Sequence, residues 1–362
     1  MTADRTDKTR FLQTPTEPIS ADEGLTGDAL LQRMERISFQ GRNLALARRV
    51  WERMIADDVT IFFGMAGALT AGGLRLVLAD LILRRAVDCV VTTGANLFHD
   101  LHETRGRQHY VGSPRENDAA LLKARIDRVY DTYADEDEFA DNDEWTAEFV
   151  LSLERRPYTS RELINRLGER LWREHQRHGI LTAAYRAQVP VFCPAIADSS
   201  IGMGIAQARH SEPDAGLVDV IGDIIESANV VLRNPRTASI VLGGGTPKNF
   251  INQASVEAEY FDPAVTGHLY ALQIVTDVPH FGGASGSSVH EAESWGKVAG
   301  DAEKVSVQAD ATLALPLLVT ALFTSARDAL AARQHTAFEP GGRHLVMGGR
   351  ALSSARFEVN HD

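Results

Sequence analysis

The chain predicts an α/β fold, a doubly wound, mostly parallel, Rossmann-like sheet with helices on both faces and a helical insertion. Three observations lead there. Short runs are apolar throughout instead of alternating, the mark of strands covered on both faces. Several of these runs end in glycine or small residues and lead into helical spacing, and the order strand, tight turn, helix returns along the chain. A sheet wound this way opens a ligand crevice outside the carboxyl ends of its strands.

Residues up to about 18 are polar and aperiodic, and an arm over 1–24 is expected to be flexible. Helical spacing begins at Leu25. The run DVTIFF at 58–63 ends at Gly64 and leads to a helix over 73–84. Further strands follow at 87–93, 189–194, 239–242, 269–276 and 305–309, the last entering a helix near Ala311. Between the second and third lies a mainly helical insertion over about 104–187. Its acidic run, 130–144, reads as a solvated loop, with a negative funnel for a polycation as the functional alternative. Residues 25–335 read as a single domain and 336–362 as a tail.

Hydrophobic content of 44% and charged content of 24% are ordinary for a soluble globular protein. The net charge of −12 argues against a nucleic-acid partner, because a phosphate binder needs a basic stripe. Cys89 and Cys193 sit in apolar runs without CxxC spacing and read as buried thiols. The N-terminus lacks the apolar centre of a signal peptide. The greasiest stretch, 311–323, falls short of the ~20 residues that cross a bilayer, so a cytoplasmic protein is expected.

The segment EAESWGK at 291–297 carries the most chemistry. A Schiff-base lysine must be held partly neutral in order to attack, and Lys297 follows a wall, Trp295, and an anchor for a cationic amine, Glu291. A solvated lysine at a helix end is the plainer reading. At 100° per residue Glu291 and Trp295 share a helical face, while Lys297 points elsewhere unless Gly296 breaks the helix.

Glycines at 243–245, 94 and 282–283 stand at or near strand ends, where backbone can approach a dinucleotide or simply turn; none matches GxGxxG. Asp198 and Asp310 can accept from ribose hydroxyls or cap the next helix. His99 and His102 are spaced to clamp a metal but lack a third ligand, so no metal is expected. His280 and His290 flank the glycine-rich loop as proton acceptors.

These segments, together with IVLGGG at 240–245, Lys248, the stretch 276–285 and QADATLALPLLV at 308–319, resemble the deoxyhypusine synthase family from about residue 55 to 325. The resemblance implies a tetramer with NAD sites at dimer interfaces and a lysine, here Lys297, that carries an aminobutyl group from spermidine to an acceptor amine. Carried over, NAD contacts fall on Thr93, Gly94, Asp198, Gly244, Thr276, Asp277, Ser285, Asp310 and Ala311. The amine-binding set is Glu291, Trp295, His280, Gly282, Asn249 and His99.

Departures from the family pattern point to a changed substrate. Asn249 stands where the family has a proton-accepting histidine, and an amide cannot serve as that base. Phe98, Met203 and Ala284 replace carboxylates, His99 occupies another acidic position, and Gly67-Ala68 replaces a Ser-Asn pair. The expectation is a polyamine donor and a small acceptor amine such as putrescine or agmatine, with His280 as substitute base. A lysine of a translation-factor precursor as acceptor, and an NAD-binding homologue without catalysis, are the alternatives.

Overall fold

Six runs of apolar sequence become six parallel strands in a computed structural model, which describes residue 8 and residues 11–352. They are β1 (Thr60–Met65), β2 (Cys89–Thr92), β3 (Val191–Phe192), β4 (Thr237–Leu242), β5 (His268–Val275) and β6 (Val298–Gln308). Their order is β6-β5-β4-β1-β2-β3, and every neighbouring pair is parallel. β6 starts at Val298, immediately after Lys297 and well before the expected 305.

Successive side chains explain why the runs do not alternate. Ile61, Phe63 and Met65 enter one core cluster and Phe62 another; Val90 likewise opposes Cys89 and Val91. Each fully buried aromatic or aliphatic side chain of this kind contributes about 1.5–3 kcal/mol.

The helices used below are α1 (Gly27–Met34), α2 (Phe39–Ala56), α3 (Arg75–Leu83), α4 (Gly94–Thr104), α5 (Asp118–Ala124) and α6 (Glu136–Leu151). They continue as α7 (Ser160–His175), α8 (Ile180–Ala187), α9 (Ser200–Ser211), α10 (Val220–Arg233), α11 (Gly245–Phe261) and α12 (Ala311–Ser325). Residues of α2, α3 and α12 fill the first cluster, and residues of α10 and α11 the second. Gly64 lets α11 close on β1, since a Cβ there would lie 2.9 Å from Ile251 Cδ1.

The insertion holds α5 to α8 and a small antiparallel sheet of Tyr110–Val111, Thr132–Asp135 and Ile126–Val129. Its acidic run is ordered structure, contrary to the loop expected. Asp135 caps α6 by accepting from Asp137 N, and Glu136, Asp137 and Glu138 fill the first turn, where the helix dipole favours negative charge. Clustered acid residues were therefore a helix-start signal.

Beyond residue 333 the chain forms a hairpin of Gln334–Glu339 and Val346–Leu352, and Phe338 packs into the second core. Arg333 anchors it, paired with Asp88 at 2.6 Å with both side chains buried. The rest of the expected tail, 353–362, lies outside the described residues. So do 1–7, 9 and 10 of the expected arm; residues 11–23 are exposed, and Asp22 pairs with Arg33 at 2.6 Å. No helix among the described residues is long and apolar enough to cross a membrane.

Candidate active site

A cleft of about 250 Å³ opens at the carboxyl ends of β1, β4, β5 and β6, lined by Ala66, Gly67, Gly243, Thr276, Asp310 and Ala311 among others. Gly243 (φ 80) and Gly245 (φ 61) turn the chain from β4 into α11 in a conformation other residues resist. At Gly244 a Cβ would lie 3.1 Å from Ala284 Cα, so the loop that follows β5 sits directly over it.

The remaining dinucleotide candidates border this cleft or its rim. Thr93 donates from Oγ1 to the Gly67 carbonyl at 2.7 Å, and Asn96 donates to Thr93 Oγ1 at 3.1 Å. Gly94 meets the Asp198 loop so closely that a Cβ would lie 2.3 Å from Ser199 Oγ. Ser199, not Asp198, caps α9, which leaves the exposed Asp198 carboxylate to other partners. Asp310 does cap its helix, accepting from Thr312 N at 2.7 Å. Asp277 accepts from Val278 N and Ala284 N, both at 3.1 Å, and so shapes the loop.

Helices α4 and α11 start at this edge without a side-chain cap. Their first N–H groups are open donors beside the cleft, which suits a pyrophosphate. The donor set and the small-residue turns therefore fit a dinucleotide.

Lys297 lies on the neighbouring loop. Glu291–Trp295 is a 3₁₀ turn, and Gly296 ends it in the left-handed region at φ 68. At three residues per turn Glu291 and Trp295 do not share a face, which corrects the α-helical expectation. The glycine instead turns the chain back, and Lys297 Nζ lies 4.9 Å from the centre of the Trp295 ring. Glu291 accepts from Ser288 N at 2.6 Å; that bond, aided by the charge of Lys248, holds its carboxyl below the usual range.

Lys248, which sequence reasoning used only as a family marker, belongs to this group. It is 3% exposed, and Nζ donates to the carbonyls of Ala284, at 2.7 Å, and Ser287. Burial pushes its ammonium down to about 8, with the charge of Lys297 adding and that of Glu291 opposing. The signal available was its spacing on α11, three residues before Ile251 and seven before Ser255, which puts it on the same buried side of the helix. Beside it, Asn249 Nδ2 donates to Ser285 Oγ at 3.3 Å, and Ala284 (φ 49) and Ser285 (φ 60) take strained left-handed conformations.

Lys297, Trp295, Glu291, Lys248, Asn249 and Ser285 thus come together around one loop. His280 and Gly282 lie on an earlier turn of it, the exposed His280 ring centred 4.1 Å from that of Phe281. His99 sits on α4 in other company: its ring packs on Phe98 and Phe139, and its Nδ1 lies 2.9 Å from His109 Nε2. Among the described residues no group of three or more His, Cys, Asp or Glu side chains is placed to hold a metal.

Comparison with known proteins bears on this geometry. A family model described as deoxyhypusine synthase matches residues 29–322. A Methanosarcina mazei protein named "Probable deoxyhypusine synthase 2" is 43% identical over 322 residues, 88% of this chain and 92% of that one. A Coxiella burnetii protein named "Deoxyhypusine synthase-like protein" is 37% identical over 318 residues, 86% of this chain and 90% of the other. A solved structure from Entamoeba histolytica, assigned as a deoxyhypusine synthase, superposes with a TM-score of 0.59 at 20% identity. It covers 86% of this chain and 97% of its own, a likeness of fold.

Proposed function

The chain belongs to the deoxyhypusine synthase family, a family of transferases, and on that premise we propose that it moves an aminoalkyl group from spermidine or a related polyamine, through an imine on Lys297, to a small acceptor amine. The observation that carries the reading is Lys297 Nζ over Trp295, in the charge field it shares with Lys248 and Glu291, on a loop that packs against Gly244 beside the strand-end cleft.

NAD is the cofactor this reading requires. The strand order β3-β2-β1-β4-β5-β6 is that of doubly wound dinucleotide-binding sheets, which supports it. Thr276, Asp310, Ala311 and Gly244 would hold it, with the open N–H groups of α4 and α11 for the pyrophosphate and Asp198 and Asp277 for hydroxyl groups. When bound, NAD takes up a hydride from the donor amine and returns it to the product.

Lys297 then acts as nucleophile. Its neutral amine forms a bond to the carbon of the donor imine, the original amine leaves, and the lysine holds the fragment as a new imine until the acceptor displaces it. Trp295 covers one side of the amine. Glu291 supplies a carboxylate for a substrate ammonium, since only part of its hydrogen-bonding capacity is taken by Ser288.

The apolar replacements support a small acceptor. Phe98 is buried against Phe139, Ala284 is buried, and neither can hold an ammonium. Each missing charge-assisted bond removes about 1.5–3 kcal/mol, which favours a small amine over a chain of three cations. Phe281, Trp295 and Leu313 are 84%, 66% and 76% exposed around the site, which supports a homo-oligomer, a tetramer by family resemblance, with sites completed at dimer interfaces.

A screen of donors and acceptors with NAD, read by mass spectrometry, tests the reading. A new small polyamine is the expected product. Transfer to a protein lysine alone would move the acceptor to the translation-factor alternative, and no transfer with any pair would leave an NAD-binding homologue without catalysis.

A further inference from the structure

We propose that Lys248 is a positioning residue whose buried amine couples the charge on Lys297 to the fastening of the loop that carries it. The proposal deepens the transferase reading above and rests on it for Lys297 as the nucleophile. It is carried by a run of hydrogen bonds that joins the two lysines. Lys248 Nζ donates to the carbonyls of Ala284 and Ser287. The next residue, Ser288, exchanges bonds with Glu291: Ser288 N donates to Glu291 Oε2 at 2.6 Å and Glu291 N to Ser288 Oγ at 3.2 Å, a capping box that leads into the 3₁₀ turn. That turn returns to the nucleophile, because Lys297 N donates to the Ala292 carbonyl at 3.1 Å. Slack at Ser287 is therefore slack at Lys297.

The fastening is an opposed pair of charges. Asp277 accepts from the Ala284 N–H at 3.1 Å while Lys248 takes the Ala284 carbonyl at 2.7 Å, so one residue is gripped at both ends. Ala284 (φ 49) and Ser285 (φ 60) sit in the left-handed region, which residues other than glycine hold only under restraint. Ala284 lies over Gly244, and Gly296 lies against Glu259, whose Oε2 would be 3.1 Å from a Cβ there. The loop thus follows α11 from its first turn to its last, with Lys248 beneath its start.

An ammonium in this place works against its surroundings. Lys248 is 3% exposed, and burial pushes its ammonium down from 10.5 to about 8, with the charge of Lys297 adding and that of Glu291 opposing. Among the described residues the strands beneath α11 and the neighbouring α10 add no charge to it, and Glu259 stands about 16 Å farther along the helix. Repulsion between two ammonium groups is mutual, so discharging Lys297, as its attack on the donor requires, lightens the load on Lys248 and tightens the loop. The nucleophile is held most firmly in the form that reacts.

The same linkage fixes the effect of pH. With the loop lifted, the Lys248 amine returns to its ordinary 10.5, so the lifted form binds a proton more tightly than the clamped one. The clamp is strongest above 10.5, weakens as pH falls, and is weakest below 8.

Limited proteolysis of the full-length protein by subtilisin tests this, with cuts between 277 and 297 mapped by mass spectrometry and rates normalised to the corresponding free peptide. Cleavage should track the population of the lifted loop. In the wild type it should slow ~10-fold from pH 7.5 to 9.5. Lys248→Met should be cut faster than wild type at pH 7.5 with that step gone, and Lys297→Met should keep the step but shift it to higher pH, circular dichroism confirming that each is folded. A wild-type rate independent of pH, a full step in Lys248→Met, or a Lys297→Met step at the wild-type pH would overturn the coupling. If Lys248→Met does not fold, the wild type and Lys297→Met decide it. The assay needs no turnover, so a wild type that transfers no aminoalkyl group sinks the transferase reading, while the protease result decides the coupling by itself.

Discussion

The strand-end cleft and the lysine loop are neighbours built on opposite principles. The cleft is a by-product of the sheet: parallel strands end at one edge, Gly243 and Gly245 turn the chain, and uncapped helices present their N–H groups. The loop from 277 to 297 has little regular structure beyond short 3₁₀ turns, and two side chains fix it from within and below. Asp277 grips the Ala284 amide, and Lys248 grips the carbonyls of Ala284 and Ser287. On the proposed function the cleft is the cofactor's floor and the loop carries the nucleophile, and damage to the two should read differently.

The largest effect expected is at the loop. Lys297→Ala should abolish transfer while NAD binding, measured by fluorescence titration, stays within about threefold, because the floor is untouched. Turnover surviving this change would break the division of labour. Next comes Gly244→Val on the floor, where the added Cβ would press on the Ala284 backbone. NAD should bind at least ~10-fold more weakly, a loss of about 1.4 kcal/mol, and turnover at saturating NAD should recover in part.

Lys248→Met tests whether the loop depends on its clamp. The loop should become the first site of limited proteolysis, and kcat should fall by ~10-fold, since residues held in strained left-handed geometry relax when the restraint goes. Unchanged protection from protease would show that Asp277 holds the loop alone. The smallest effect concerns pH. His99 titrates near 4 in the fold against 6.5 outside it, so its contribution to stability is complete above pH 6.5 and is lost as pH falls through 4. Urea midpoints of His99→Gln should decline less steeply than wild type across that window.

The same contrast governs what was legible in the sequence. All six strands could be read, because residues such as Phe62 and Phe63 bury on both faces and leave an unbroken apolar run. The cleft followed from glycines at strand ends. The loop could not be read by helical arithmetic, since its turn is 3₁₀ and Gly296 reverses the chain, and nothing local announces that Lys248 reaches the carbonyls of residues 284 and 287. The acidic run at 130–144 misled for a related reason: Asp135 and the glutamates after it serve a helix start, and composition alone does not separate a cap from a solvated loop. His99 was singled out by residue type, but its contact with His109, and that of His109 with Glu103, are supplied only by the fold.

One measurement bears most directly on the chemistry proposed. Borohydride added during turnover, with NAD and a polyamine donor present, should reduce the enzyme imine to a stable adduct that peptide mass mapping can place. The expected site is Lys297, whose amine lies over Trp295 on an open loop, and not Lys248, whose amine is buried against two carbonyls. An adduct on Lys248, or no adduct while product forms, would contradict the assignment of Lys297 as carrier.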